Sequence, residues 1–209
     1  MAVLLYFGSF NPVHNAHLTM AIEAQTAGGF EKVLFIPAFA PPNRVGQTNL
    51  WDFDTRVSLL KLALQEANNP ALAVSAIEQT IGSEKHQPLF TATVLEALFH
   101  APLEELATGS VDVLMGADTF ASLPSWHQWE EIVRVCRFWV VPRPDQQLAI
   151  TSLPWVVELG VAVRLVPMVA MGISATDVRA AMRVGDWDFV AGCVPSGVLG
   201  ALKERTFSA

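Results

Sequence analysis

The chain has 209 residues, enough for one domain or one domain with a small appendage. With 52% hydrophobic and 16% charged residues it has the apolar material for a real core, which excludes a disordered chain. A formal net charge of −7 excludes non-specific gripping of nucleic acid, which needs a basic face, while local cations and helix ends can still bind a small anion.

In chain order, residues 3–7 form a short apolar run and predict a buried strand, and residues 14–27 predict a helix. Residues 33–37 predict a second strand, followed by a proline-rich loop over 38–49. Asp54 stands where it would cap a helix running through residue 66. A third strand is expected over 72–76, a helix over 90–99, and further strands over 111–115, 136–141 and 162–166. The stretch 145–158 is compatible with helix or loop, and residues 173–205 read as helical throughout. Apolar strands separated by helices predict a doubly wound α/β fold with a parallel sheet covered on both faces. The whole chain, 1–209, is expected to be one domain, with 173–209 as a C-terminal helical element. Cys136 and Cys193 match no metal spacing and are expected to be reduced, buried thiols of a cytoplasmic protein. The first residues lack a basic n-region, and no apolar run reaches the ~18–20 residues of a membrane span, so neither a signal peptide nor a membrane partner is expected.

Residues 8–17 read Gly-Ser-Phe-Asn-Pro-Val-His-Asn-Ala-His, directly after the first strand and at the start of the first helix. In a doubly wound sheet that is where ligands bind. A glycine lets the backbone approach a ligand, and free N–H groups with the helix dipole favour an anion. His14 and His17 are three apart and would share a helical face, each able to donate a hydrogen bond to phosphate. The same residues also allow an ordinary turn, surface histidines, or a zinc pair with no evident third ligand. A second segment begins at Ile173. Ser174 with Asp177 three residues on suits a helix cap. Thr176 and Arg179 add a hydroxyl and a guanidinium suited to phosphate oxygens.

The first segment resembles the (G)-[ST]-F-[DN]-P-x-H-x-x-H signature of the nucleotidyltransferase α/β-phosphodiesterase superfamily, matching seven defined positions. The second is similar to its I-S-x-T-x-[IV]-R motif. Over nearly its full length the chain further resembles the bacterial nicotinate-mononucleotide adenylyltransferases. That resemblance rests on Ile36-Pro37 with Ala40 to Arg44, on Leu89 to Thr93, on Leu114 to Asp118 with Pro124 to Trp126, and on Val141 to Pro144. It implies a Rossmann-like nucleotidyltransferase that transfers adenylyl from ATP to nicotinate mononucleotide, giving deamido-NAD and pyrophosphate. His14, His17 and Arg179 are the implied catalytic residues. Gly8, Ser9, Phe10, Gly116, Asp118, Ile173, Ser174 and Thr176 join them in binding ATP, and Asp118 equally suits a helix cap. Arg44, Thr91, Trp126 and Arg143 are the implied contacts of the pyridine nucleotide. Trp126 would stack on the ring, and its bland alternative is a core tryptophan.

The chain departs from the family at Phe7 and Ala16, where glycine is usual, at Asn11, where aspartate is frequent, and at Asn43, which replaces a histidine. Nicotinamide mononucleotide is therefore the alternative substrate. Other superfamily adenylyltransferases, and a nucleotide-binding regulator without turnover, are the remaining alternatives. The attacking phosphate is already ionised, so no general base is expected, and Mg²⁺ should be held mainly by ATP oxygens and water. A homo-oligomer is compatible with the sequence, which names no interface.

Overall fold

The computed structural model describes residues 2–41, 49–85, 89–100, 111–142, 150–168 and 171–207. Six strands form one sheet: β1 (Val3–Gly8), β2 (Lys32–Pro37), β3 (Leu72–Val74), β4 (Val111–Gly116), β5 (Cys136–Val141) and β6 (Val163–Leu165). Their order is β3-β2-β1-β4-β5-β6, and every neighbouring pair is parallel. Because side chains alternate along a strand, each apolar run feeds two cores. Leu4 and Tyr6 of β1 join one cluster with Val33, Phe35 and Leu114. Val3 and Leu5 join the other with Leu34, Ile36, Val113 and Phe138.

The first core is covered by α1 (Asn15–Gly28), α2 (Phe53–Ala67) and the C-terminal helices. The second is covered by α3 (Ile77–Lys85), α4 (Thr91–His100), α5 (Ala117–Ala121), α6 (Trp129–Val135) and α7 (Pro154–Glu158). The doubly wound parallel fold and its strands are as expected from the sequence. The short helices α3, α5, α6 and α7 add to what periodicity indicated. Of the stretch left between helix and loop, residues 145–149 lie outside the described residues and the remainder carries α7.

Two expectations need correction. Asp52, not Asp54, caps α2: its Oδ1 accepts from the Thr55 amide at 2.8 Å and its Oδ2 from the Thr55 hydroxyl at 2.6 Å. Asp54 instead adds negative charge to the first turn, where the helix dipole favours it. The C-terminal run is also not continuous. It breaks into α8 (Ala175–Val184), α9 (Trp187–Cys193) and α10 (Ser196–Phe207). Gly185, at φ +75°, ends α8 in the left-handed region that glycine tolerates, and Asp186 then caps α9. Pro195 precedes α10, whose first amides at Ser196 and Gly197 donate to the Glu66 carboxylate at 2.9 and 2.8 Å. Cys136 and Cys193 are buried, free thiols, as expected. Among the described residues no helix is long and apolar enough to cross a membrane.

Candidate active site

The chain builds β1, β2 and β3 outward and then returns to lay β4 on the other side of β1. Strand order reverses between β1 and β4, so a crevice opens beyond Gly8 and Gly116 at their carboxyl ends. From Gly8 the chain turns through Ser9, Phe10 and Asn11 into α1. Phe10 has φ +45°, a left-handed conformation that costs an ordinary residue roughly 1–2 kcal/mol. Its ring offsets that cost. It is buried among Tyr6, Phe35 and His17 with centroids 5.4, 5.5 and 5.1 Å away. The same ring explains Gly8, because a Cβ there would come within 2.9 Å of it. Phe10 thus shapes the loop from the core side, and its contribution to a ligand would come from backbone.

Asn11 is buried and uses both ends of its amide. Nδ2 donates to the Asn49 carbonyl at 2.7 Å, and Oδ1 accepts from the Trp51 amide at 3.1 Å. Its backbone carbonyl accepts from Nη1 of Arg179 at 2.6 Å, which joins the loop to α8. Arg179 also donates to the Ala175 carbonyl at 3.0 Å and the Thr176 hydroxyl at 3.3 Å. Ser174 caps α8, accepting from the Asp177 amide at 3.1 Å and donating to its carboxylate at 2.6 Å. Ile173 packs against the first core and Thr176 is exposed.

His14 is the extended N-cap residue of α1, and His17 lies in its first turn. Their rings stack with centroids 3.7 Å apart. Nδ1 of His17 accepts from the His14 amide at 3.2 Å, so the ring's proton sits on Nε2, which is left to donate. Nδ1 of His14 is buried without a hydrogen-bond partner among the described residues. Burial pushes the His14 imidazole down to about 4, and burial and then His14 push His17 well below its usual 6.5. Both are neutral at pH 7 and suit phosphate oxygens as N–H donors. Neither suits Mg²⁺, a hard cation that prefers oxygen. No group of three acidic, histidine or cysteine side chains among the described residues is placed to hold a metal ion.

Beside the loop lies a cavity of about 840 Å³. Gly8 and Ser9 form one wall, Thr91 and Phe90 at the start of α4 another, and Trp126, Ser125 and His127 a third. Trp126 is half-buried, and its indole N–H donates to the Ser122 hydroxyl at 3.2 Å, which fixes the ring. His127 and Phe90 face each other at 4.4 Å. Gln128 does not share this wall: it caps α6 at φ +52° and lines a separate groove. Gly116 caps α5, and Asp118 is exposed in its first turn. Gly8, Ser9, Thr91 and Trp126 therefore meet at one cavity, while the stacked pair His14 and His17 and the Arg179 that bonds to Asn11 are not among its lining residues. Arg44 and Arg143 lie outside the described residues.

Sequence reasoning missed three residues. Ser122 orients Trp126, Glu78 stands in the cavity wall, and Arg56 is buried behind it. Only Arg56 left a signal: it falls among Phe53, Leu59, Leu60 and Ala63 on the buried face of α2.

Comparison with known proteins bears on the family and the fold. A family model described as cytidylyltransferase-like matches residues 5–181. The chain is 31% identical over 185 residues to the "Probable nicotinate-nucleotide adenylyltransferase" of Solibacter usitatus, covering 88% of this chain and 89% of that one. It is 28% identical over 222 residues to the protein of the same name in Geotalea uraniireducens, covering 98% and 97%. Among solved structures, the Plasmodium falciparum nicotinic acid mononucleotide adenylyltransferase complexed with NaAD superposes with a TM-score of 0.76 over 98% of this chain and 95% of its own. At 13% identity that is a likeness of fold.

Proposed function

We infer the reaction from a plain premise: the chain belongs to the cytidylyltransferase-like family and, within it, to the nicotinate-nucleotide adenylyltransferases. It transfers adenylyl from ATP to nicotinate mononucleotide, giving deamido-NAD and pyrophosphate. One observation of the structure carries this reading. A single cavity runs from the glycine loop to the Trp126 indole and the first turn of α4, within the ~300–1,000 Å³ range of small-molecule sites.

In the proposed reaction a phosphate oxygen of the mononucleotide attacks the α-phosphorus of ATP. A P–O bond forms, the bond to pyrophosphate breaks, and no proton moves. Catalysis is then in-line positioning and neutralisation of charge on the leaving group. His17 would donate from Nε2 to a phosphate oxygen, with His14 stacked beside it. Arg179 would add positive charge while holding the loop through Asn11. Gly8, Ser9 and Phe10 would offer backbone to ATP, with Gly116, Asp118, Ile173, Ser174 and Thr176 at its edge. Mg²⁺ would arrive on the triphosphate and neutralise its charge. Trp126 would stack on the pyridine, and Thr91, first residue of α4, would meet the carboxylate where the helix dipole favours an anion. That helix start supports nicotinate over nicotinamide. Arg44 and Arg143 remain proposed contacts of the same substrate. ATP and mononucleotides are cytoplasmic metabolites, so a cytoplasmic location belongs to the same proposal.

A pyrophosphate-release assay with ATP and each mononucleotide tests the reading. Turnover should be fastest with nicotinate mononucleotide. Faster turnover of nicotinamide mononucleotide would reassign the substrate, and no release with any acceptor would leave a nucleotide-binding regulator.

A further inference from the structure

We propose that Arg56 and Glu78 are positioning residues that grip the Ala38–Phe39 peptide at both ends and so fix the wall of the pyridine-nucleotide pocket. The proposal rests on the reading of that pocket given above.

The peptide is the first one beyond β2. Ala38 extends the β1–β2 ladder by one rung, its amide donating to the Gly8 carbonyl at 2.9 Å. The Ala38 carbonyl then accepts from Nη2 of Arg56 at 2.7 Å, and the Phe39 amide donates to Oε2 of Glu78 at 2.9 Å. The C=O and N–H of one planar unit point in opposite directions, so engaging both sets the plane's orientation. Arg56 goes further. Its Nη1 donates to the Ser9 carbonyl at 2.8 Å and its Nε to the Trp51 carbonyl at 2.9 Å. One guanidinium thus ties the glycine loop, the segment before α2 and the exit of β2 together.

The effect passes to the substrate side of the cavity. Ala38, Pro41 and Glu78 line it. Two residues on, the Ala40 carbonyl accepts from the Leu89 amide at 3.2 Å, two residues before Thr91. The Phe39 ring packs on Phe53 at 5.2 Å and fills the space above Gly82, where a Cβ would come within 2.5 Å of it. Peptide, ring and carbonyl thus hold one path from β2 to the start of α4.

Stability does not explain these two residues. Arg56 is 1% and Glu78 5% exposed, and burying a guanidinium and a carboxyl gains little over apolar side chains of similar volume. What an apolar pair cannot do is take up a carbonyl and an amide at fixed directions.

Steady-state kinetics of the whole protein, with unfolding measured in parallel, test the clamp. Glu78→Ala leaves the Phe39 amide without its acceptor and should raise KM for nicotinate mononucleotide about tenfold, with KM for ATP within about twofold. Glu78→Gln keeps an acceptor oxygen at the same reach and should hold both KM values near those of the parent. Glu78→Asp keeps the carboxyl group but withdraws the oxygens by one methylene, and should raise KM for the mononucleotide alone. The Gln and Asp variants decide the matter even if the Ala variant fails to fold. A fall in melting temperature with both KM values unchanged in the Asp variant would overturn the clamp, as would equal rises for both substrates. The underlying reaction fails separately, through an inactive parent enzyme.

Discussion

His17 spends Nδ1 on the amide of His14, so the ring has one nitrogen left with which to reach a ligand. His17→Ala should therefore lower kcat by the roughly 2.7–4 kcal/mol seen when a transition-state donor is deleted, read from pyrophosphate release at saturating substrates. A kcat near that of the parent would remove His17 from the mechanism. Asn11 makes a different kind of claim. Its buried amide both donates and accepts at 2% exposure. Asn11→Asp would set a carboxylate oxygen against the Asn49 carbonyl, and urea unfolding should show a loss of about 1–3 kcal/mol. Unchanged stability would mean that the strap from Asn11 to residues 49–51 contributes nothing.

At the level of elements, Asp52 is the most direct test. It caps α2 and also meets Arg205 of α10 at 3.4 Å. Asp52→Ala should cost about 1 kcal/mol through the lost cap, and the exposed ion pair adds little. Asp54→Ala should cost less, and the reverse order would undo the assignment of the cap. The error over Asp54 shows where the sequence was legible. Helix α2 was visible in the spacing of Leu59, Leu60, Ala63 and Leu64, but two aspartates flank its start and only geometry separates them. The strands of the sheet were legible because their residues are apolar on both faces. Helices α3, α6 and α7 were not: they are nine, seven and five residues long, and packing rather than periodicity holds them. The break at Gly185-Asp186 was written in the sequence as a C-cap followed by an N-cap. The glycine loop and α8 were recognisable as motifs. Glu78 was not, since nothing in its neighbours shows that this acid turns inward.

Over the whole molecule, three buried groups give stability an uncommon pH dependence. Burial raises Glu78 from 4.5 to about 7, so the folded protein keeps its proton longer and stability falls as pH rises through that window. Burial lowers His14 from 6.5 to about 4, and His17 moves the same way, so stability falls as pH drops below 6.5. Between pH 4.5 and 6.5 His14 opposes Glu78, and His17 adds its pull to that of His14, so stability rises with pH. Above 6.5 only Glu78 acts, and stability should decline slightly toward pH 7. Denaturant unfolding of Glu78→Gln should show a steeper rise below pH 6.5 and the decline gone. An unaltered profile would place the titration elsewhere. The contact between Arg179 and Asn11 has a consequence in time. It spans 168 positions, and at about 5–20 residues per second the second partner leaves the ribosome roughly ten to thirty seconds after the first. By the end of that interval the nascent chain has made every strand of its sheet but still lacks the tie from α8 to its glycine loop. Ligand-competent enzyme therefore belongs to the last stage of synthesis, after the scaffold is in place.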